Sequence, residues 1–391
     1  MPVARRVAAC ALLAPLAAAP CAFAGDLAPP GAPAPTMKTL DEVEPRIPIG
    51  PLTTPGDADS VFRISQPGSY YLTGNLIGQA NRCGIEIASS GVSIDLMGFT
   101  LEGVPGSREG VNASVTSNAV SIVNGTIRGW GFEGVDLNLV DGSRLRGLIV
   151  EGSGSRGIFV SEEAIIIECV AIGNGGNGFL ASNGALVKDC VAEGNTDSGF
   201  AIGSRSQVIG VTANDNGIHG VSIGTGSSVV DSNAYSNDAD GFAGSSGVSV
   251  INCAAAFNSQ DGIDVGGGST VRGNTVYAST EDGIEVSDDS MVSDNKVGFA
   301  GNGGSGAGIY VLGSGTHVEG NSIHDSDIGI QATATSNLVI RNTLRTNTVA
   351  FDLATGNKVG PIVVAPSSGV VAGTVGAAGV GTSNPWANLV Y

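Results

Sequence analysis

The sequence predicts an all-β fold: a right-handed parallel β-helix solenoid with about 13 coils of mostly 21 residues. Two observations support this prediction: a glycine that recurs at a fixed interval, and apolar residues spaced two positions apart within each repeat. A glycine followed by an apolar residue returns every 21 residues over much of the chain, and such a repeat is typical of coils stacked on one another. The glycines of these pairs are Gly157, Gly178, Gly199, Gly220, Gly241, Gly262, Gly283, Gly308 and Gly329.

The residues inside one repeat predict short strands. Apolar residues, mostly β-branched, lie two positions apart, as at Ile263 and Val265, and this is the strand period. Three strands and three turns use up about 21 residues. The leucine framework of leucine-rich repeats is missing, and the bias of parallel crossovers favours a right-handed coil. The earliest coils are irregular, and the segment 301–306 lengthens a later one.

Asparagine and cysteine also recur in register with the repeat. We expect the asparagines to be structural, because their side chains can satisfy backbone groups at the turns. One asparagine column is Asn174, Asn195, Asn216, Asn237 and Asn258, and the other is Asn274, Asn295, Asn321 and Asn342. Cys169, Cys190 and Cys253 hold the second column in earlier coils, where we expect buried, unpaired thiols.

The two ends of the chain predict export and a covered solenoid. Residues 1–24 read as a signal peptide, with Arg5 and Arg6 before an apolar run and Ala22-Phe23-Ala24 as the cleavage site. We therefore expect a secreted or periplasmic protein without a second membrane span. Residues 25–46 form a Pro/Ala-rich linker and 47–355 the β-helix, while the uncharged end of 356–391 is either a cap or a tail.

The charge balance limits the kinds of partner. The chain has 18 basic and 36 acidic side chains, for a net charge of −18. Such a balance argues against nucleic acid, whose phosphates need basic clusters. It is compatible with cation binding or with solubility alone.

Three segments resemble a known superfamily: Pro67–Leu72, Val92–Phe99 and the repeat unit Val271–Val276. They resemble the pectin-lyase-like right-handed parallel β-helix proteins, including bacterial NosD-like repeat proteins, over about residues 60–355. The resemblance implies the fold strongly and the activity weakly. Its members include pectate lyases, polygalacturonases, alginate epimerases, phage tailspikes and surface proteins without enzymatic activity.

The candidate site is acidic. Stacking brings Asp261 to about 5 Å from Asp282, and Asp264 to about 5 Å from Glu285. Because stacked like charges repel, a calcium ion held by these four carboxylates would relieve the strain. Asp264 and Glu285 are also candidates for a catalytic carboxyl pair. The third interpretation is a hydrated acidic face that keeps the solenoid soluble.

The chain departs from the site patterns that the resemblance implies. A pectate lyase site would need an arginine base, but Arg272 belongs to a different strand from the acidic residues. A polygalacturonase-like site would need a histidine, and none occurs in these coils. The Asp-Pro-His-Glu signature of alginate epimerases is absent. Three histidines without clustered methionines provide no ligand set for copper.

Aromatic side chains supply a second candidate site. Tyr235 and Tyr277 share an outward column with His324, and Trp130 is predicted in a loop on an early coil. Such rings can stack on sugars, or they can simply cover loops. We therefore expect an exported protein that binds an extracellular polysaccharide or processes it as a lyase, hydrolase or epimerase. The alternative is a structural or adhesive surface scaffold without catalysis, and the oligomeric state is left open.

Overall fold

The computed structural model describes residues 45–301, 304–364 and 384–391. The secondary structure of these residues consists of strands and turns. The described residues from 46 onward belong to one compact unit. The predicted signal peptide, residues 25–44 of the linker and residues 365–383 of the C-terminal segment lie outside the described residues. In the described part of the chain, no helix is long and apolar enough to cross a membrane.

The strands form three stacks that run along the solenoid. Stack I is a 14-stranded sheet, and stacks II and III belong to one 28-stranded sheet that follows two sides of each coil. Two long strands, Ser121–Arg128 and Arg144–Glu151, contribute to both stack II and stack III. The 14 strands of stack I give 14 coils, which agrees with the predicted number of about 13.

The strand bounds follow the coils in chain order. Stack I comprises Ser60–Ile64, Cys83–Ile87, Val111–Ala113, Val135–Leu137, Ile158–Val160, Phe179–Ala181, Phe200–Ile202, Val221–Ile223, Phe242–Gly244, Ile263–Val265, Ile284–Val286, Ala307–Val311, Ile328–Ala332 and Val349–Leu353. Stack II adds Ile47–Pro48, Gly68–Tyr71, Val92–Asp95, Ile165–Ile167, Leu186–Lys188, Gln207–Ile209, Ser228–Val230, Ser249–Ile251, Thr270–Arg272, Met291–Ser293, His317–Glu319, Leu338–Ile340 and Lys358–Val359. Stack III adds Leu76–Ile77, Thr100–Glu102, Val170–Ile172, Val191–Glu193, Thr212–Asn214, Asn233–Tyr235, Ala254–Ala256, Thr275–Tyr277, Lys296–Gly298, Ser322–His324, Thr343–Arg345, Ile362–Val364 and Asn388–Val390. Ser117–Asn118 and Val140–Asp141 form a separate two-stranded sheet.

The register confirms the predicted columns. Strand partners in the regular coils are parallel and 21 residues apart, as in Ile263 with Ile284 and Val271 with Val292. The outer residues of each short strand in stack I point into the core, and the middle residue points outward. Because the side-chain period of a strand is two, the apolar pairs seen in the sequence form one continuous core along the solenoid.

The repeated glycine is explained by close approach between coils. At Gly178, an added Cβ would lie 2.8 Å from the carbonyl oxygen of Gly199 and 2.7 Å from Nδ2 of Asn195. Any larger side chain would push the next coil away. The glycine that reveals the repeat in the sequence is therefore needed where an asparagine side chain and the next coil meet the backbone.

The asparagine columns form hydrogen-bonded ladders in the core. The backbone N–H and Nδ2 of Asn195 both donate to Oδ1 of Asn216, at 3.2 and 3.0 Å. Nδ2 of Asn195 also donates to the carbonyl oxygen of Ala171 at 3.1 Å. The predicted structural role is confirmed, since the amides satisfy buried turn groups that lack a strand partner.

The second ladder reaches the C-terminal residues. The backbone N–H of Asn342 donates to Oδ1 of Asn388 at 3.0 Å, and Asn388 is fully buried. The strand Asn388–Val390 pairs with Thr343–Arg345. Strand pairing on the solenoid thus includes residues beyond the predicted boundary at 355. The four described cysteines, Cys83, Cys169, Cys190 and Cys253, are buried.

Candidate functional site

Three carboxyl groups converge on the outer surface of stack I. Asp264 and Glu285 are the middle residues of neighbouring strands and are register partners. They point outward because the residues on either side of each face the core. Asp261 lies in the turn before Asp264, and one carboxylate oxygen from each of the three residues lies within 4.8 Å of the others.

Asp282, the fourth predicted ligand, is not part of this convergent group. Its Oδ1 accepts the backbone N–H of Ala307 at 2.5 Å. Asp261 makes the same kind of bond one coil earlier, where its Oδ1 accepts the N–H of Asp282 at 2.6 Å. These aspartates therefore also hold successive turns together, a role that sequence reasoning missed.

A histidine precedes these turn aspartates in the same column, although the sequence analysis found no histidine in the acidic coils. Nδ1 of His219, one coil before Asp240, lies 3.1 Å from Oδ2 of Asp240. Oδ1 of Asp240 in turn accepts the backbone N–H of Asp261 at 3.0 Å. The signal was available, because His219 precedes the repeated Gly220 as Asp240 precedes Gly241.

Burial shifts the titration of the acidic group. It raises the pKa of Asp261 to about 8 and that of Glu285 to about 7, and the neighbouring carboxylates add to both shifts. Burial likewise raises the pKa of Asp264, with a further rise from Asp240 that the charge of His219 opposes. The group therefore holds at least one proton at neutral pH. Such a group contains both an acid and a base.

Arg272 does not contribute to this site. It lies in stack II, is exposed, and its Nε is 3.7 Å from Oδ2 of Asp294. Arg272 thus lies on a different strand from the acidic residues, as the sequence predicts. A base for lyase chemistry would have to come from another residue.

A cavity of about 570 Å³ lies beside the coils that follow, and its lining includes Asp282 but not the three convergent carboxyl residues. Tyr310 and Gln331 line it, and they continue the outward column of Asp264 and Glu285 on the next two coils. The lengthened turn contributes Gly304–Gly306 to its wall. The column thus passes from carboxyl groups to an aromatic ring and an amide, which are groups suited to binding sugar hydroxyls and rings.

A row of aromatic side chains runs along stack III. Its five rings contact one another edge to face, with centroids 5.1–5.6 Å apart. In order along the solenoid they belong to Tyr235, Phe257, Tyr277, Phe299 and His324, and we call them the aromatic row. Tyr235 and Tyr277 are 47 % and 39 % exposed, so the structure places both predicted ligand-binding tyrosines on the surface.

Phe257 and Phe299 fill gaps that the strand leaves. In the register of Tyr235, Tyr277 and His324, the coils between them carry only Ala256 and Gly298. The phenylalanine that follows each small residue supplies the ring of that coil, while the ring of His324 lies over Gly298. Sequence reasoning missed both rings because they lie one position outside the column of the tyrosines.

Trp130, the third predicted ligand-binding residue, is buried rather than available to a ligand. It is 1 % exposed, and its indole N–H donates to the carbonyl oxygen of Leu101 at 3.2 Å. An added Cβ at Gly84 would lie 2.7 Å from its ring. Trp130 therefore belongs to the core of the irregular early coils, where small residues make room for it.

Comparisons with known proteins agree with this architecture. A family model described as the right handed beta helix region matches residues 241–372. No curated protein sequence matches the chain.

Several solved structures are similar to this chain at low sequence identity. The A-module of a mannuronan C-5 epimerase from Azotobacter vinelandii has a TM-score of 0.42 and 18 % identity, covering 75 % of this chain and 89 % of that chain. The Dettilon tailspike protein has a TM-score of 0.42 and 15 % identity, covering 76 % and 60 %. A surface adhesin of Streptococcus pneumoniae has a TM-score of 0.32 and 9 % identity, covering 74 % and 82 %. With its 21-residue repeat, its stacks of parallel strands and the right handed beta helix model that matches residues 241–372, this chain forms a right-handed parallel β-helix.

Proposed function

We propose that this protein is exported and processes a polysaccharide on the outer surface of stack I. The observation that supports this proposal best is the convergence of Asp261, Asp264 and Glu285, whose oxygens lie within 4.8 Å of one another. Carboxyl groups held this close, with their pKa values raised toward neutrality, can donate and accept protons at a glycosidic bond.

The shape of the surface favours a polymeric substrate. The acidic group lies in an outward column of an extended sheet, and the neighbouring cavity holds Tyr310 and Gln331 in the same column. A chain lying along this column would contact several coils in succession. Asp264 and Glu285 would act on one linkage while Tyr310 and Gln331 bind the adjoining units.

The test is a product assay on a panel of uronans and neutral glycans, with reducing ends and unsaturated products measured separately. We expect Asp264→Asn and Glu285→Gln each to lower the rate by about 10²-fold or more. Asp136→Asn is the matched control, since Asp136 is a half-buried carboxylate in the same outward column on an early coil. Equal rates for all four proteins on every glycan that is turned over would exclude this site.

The pH profile provides a second test of the same chemistry. If a protonated carboxyl group of this cluster is the general acid, activity must fall as the pH rises through about 7 to 8. Glu285→Gln should remove this fall in activity or shift it to a different pH.

Cation binding by a non-catalytic surface protein is the second candidate function. The same three carboxylates offer the hard oxygen ligands that calcium prefers, although calcium needs six to eight oxygens in all. Calcium binding that depends on Asp264 and Glu285, without product from any glycan, would favour this scaffold function over catalysis.

A further inference from the structure

We propose that the aromatic row is a second glycan-binding site, which takes an extended neutral polysaccharide lying parallel to the solenoid axis. The choice of a polysaccharide as the ligand rests on the proposed function. The aromatic row lies in a different stack from the acidic group, so the two can be tested separately.

The exposure of the rings is the first argument. Phe257 and Phe299 are 49 % and 42 % exposed, values similar to those of the two tyrosines. Exposed aromatic residues in a continuous row are costly for solubility and are typical of binding surfaces. Ring follows ring at about the rise of a coil, about 5 Å, which is comparable with the length of one hexopyranose unit in an extended chain. Successive sugars can thus meet successive rings.

Backbone conformation is the second, independent argument. Phe257 and Phe299 have φ values of 57° and 58°, a left-handed conformation that is unfavourable for bulky residues. Gly173 and Gly194 hold the equivalent turn position in earlier coils, with φ values of 60° and 63°. The left-handed conformation belongs to this turn in every coil, since smaller non-glycine residues also adopt it with φ values of 52–54°: Asp215, Ser236, Ala278, Asp325 and Thr346. A bulky aromatic residue occupies the position only at Phe257 and Phe299, where its ring completes the row.

The groups beside the row select the ligand. A cavity of about 330 Å³ is lined by Phe257, Tyr277 and Phe299 together with Asp325 and Asp327. Both charged residues in its lining are carboxylates, which accept hydrogen bonds from sugar hydroxyls and repel uronates. Two basic residues lie on this face of stack III, Lys296 and Arg345, and neither lines the cavity, although Nη2 of Arg345 lies 3.7 Å from Oδ2 of Asp325. The chemistry therefore favours a neutral chain of hexoses over a uronan.

The decisive variants are Phe257→Gly and Phe299→Gly. Glycine suits the left-handed backbone, as Gly173 and Gly194 show, so the fold should be retained while the ring is removed. Binding is measured by calorimetry with neutral β-1,4-linked hexasaccharides of glucose and of mannose, and with hexagalacturonate as the charged comparison. Phe132→Ala removes an exposed ring outside the row and is the matched control.

We expect the parent to bind a neutral hexasaccharide more tightly than hexagalacturonate. Each glycine variant should weaken that binding by about tenfold, with an unchanged melting temperature. Phe132→Ala should bind as the parent does. The inference is overturned if neither neutral hexasaccharide binds, if hexagalacturonate binds better, or if the glycine variants keep the parent's affinity.

The failure of the acidic site is distinguishable from the failure of the row. Loss of neutral-glycan binding in the glycine variants supports the row even if Asp264→Asn leaves every activity unchanged. Conversely, turnover that depends on Asp264 with unchanged affinity in the glycine variants overturns the row and retains the acidic site.

Discussion

Asp261 and Asp282 are linked across neighbouring coils, because the backbone N–H of Asp282 donates to Oδ1 of Asp261 at 2.6 Å. The carboxyl group that makes this bond is buried, and its pKa is raised to about 8 from an ordinary value of 3.8. Asp261 thus makes a structural hydrogen bond that an amide could make equally well, and the folded state disfavours the ionised form of its carboxyl group.

Replacing Asp261 with asparagine should change the pH dependence of stability. Between about pH 4 and pH 8 the folded chain holds this proton more tightly than the unfolded chain, so the free energy of unfolding falls as the pH rises. Asp261→Asn keeps the acceptor oxygen and removes the titration. We expect similar stability to the parent at pH 4 and a gain on the order of a few kcal/mol at pH 8.

Calorimetric melting across this pH range would measure the effect of Asp261→Asn. Asp215→Asn, at an exposed turn position, is the control and should follow the parent. Parallel curves for the parent and Asp261→Asn would show that burial of Asp261 does not raise its pKa.

Calcium should offset the repulsion within the acidic group. At pH 8 Glu285 is ionised and Asp261 is near its titration midpoint, so negative charge accumulates in the group and a bound cation relieves the repulsion. We expect calcium to raise the melting temperature of the parent and to leave the double variant Asp264→Asn/Glu285→Gln almost unchanged. Magnesium, which demands a tighter octahedral site, is the comparison ion. An equal calcium shift in both proteins would place the effect elsewhere.

Adjacent residues of one strand should differ sharply in their tolerance of substitution. Ile284 is fully buried, so Ile284→Asp loses about 1.5–3 kcal/mol of apolar burial and adds the larger cost of an unpaired carboxylate in the core. Glu285→Ala removes an outward side chain whose charge burial already disfavours, and it should leave stability unchanged or slightly higher at pH 8. Urea unfolding would compare them. Similar losses would contradict the inward and outward assignment.

The asparagine ladder should be intolerant of truncation. Asn216→Ala removes the acceptor for two donors of Asn195 and the donor to the carbonyl oxygen of Ala192. Each buried group left without a partner costs about 1–3 kcal/mol. Asn138→Ala, at an exposed site, should be neutral in the same melting experiment. A small loss at Asn216 would mean that water replaces the amide.

Trp130 should matter for folding alone. Trp130→Ala empties a large buried site and is expected to cost about 3–5 kcal/mol, as large-to-small core substitutions do. Phe132→Ala, two residues away and exposed, should cost little. Glycan binding by the folded fraction of Trp130→Ala should equal that of the parent. A specific loss of binding would return Trp130 to the list of ligand contacts.

The sequence by itself determined the coil, its period and the direction of most side chains. A glycine is required wherever a Cβ would meet the next coil, and β-branched residues alternate with polar ones, so both signals repeat at a fixed interval. The alignment of Asp264 with Glu285 and of Tyr235 with Tyr277 followed from that interval, because residues at the same repeat position stack.

Tertiary structure decided what lies between the columns. Phe257 and Phe299 reach into the row from turn positions one residue outside the column of the tyrosines, and the repeat does not show where a side chain in a turn points. Trp130 sits in coils whose spacing departs from the repeat, so its burial could not be predicted from a column. The raised pKa values of Asp261 and Glu285 depend on burial and on separation in space, which periodicity alone does not fix.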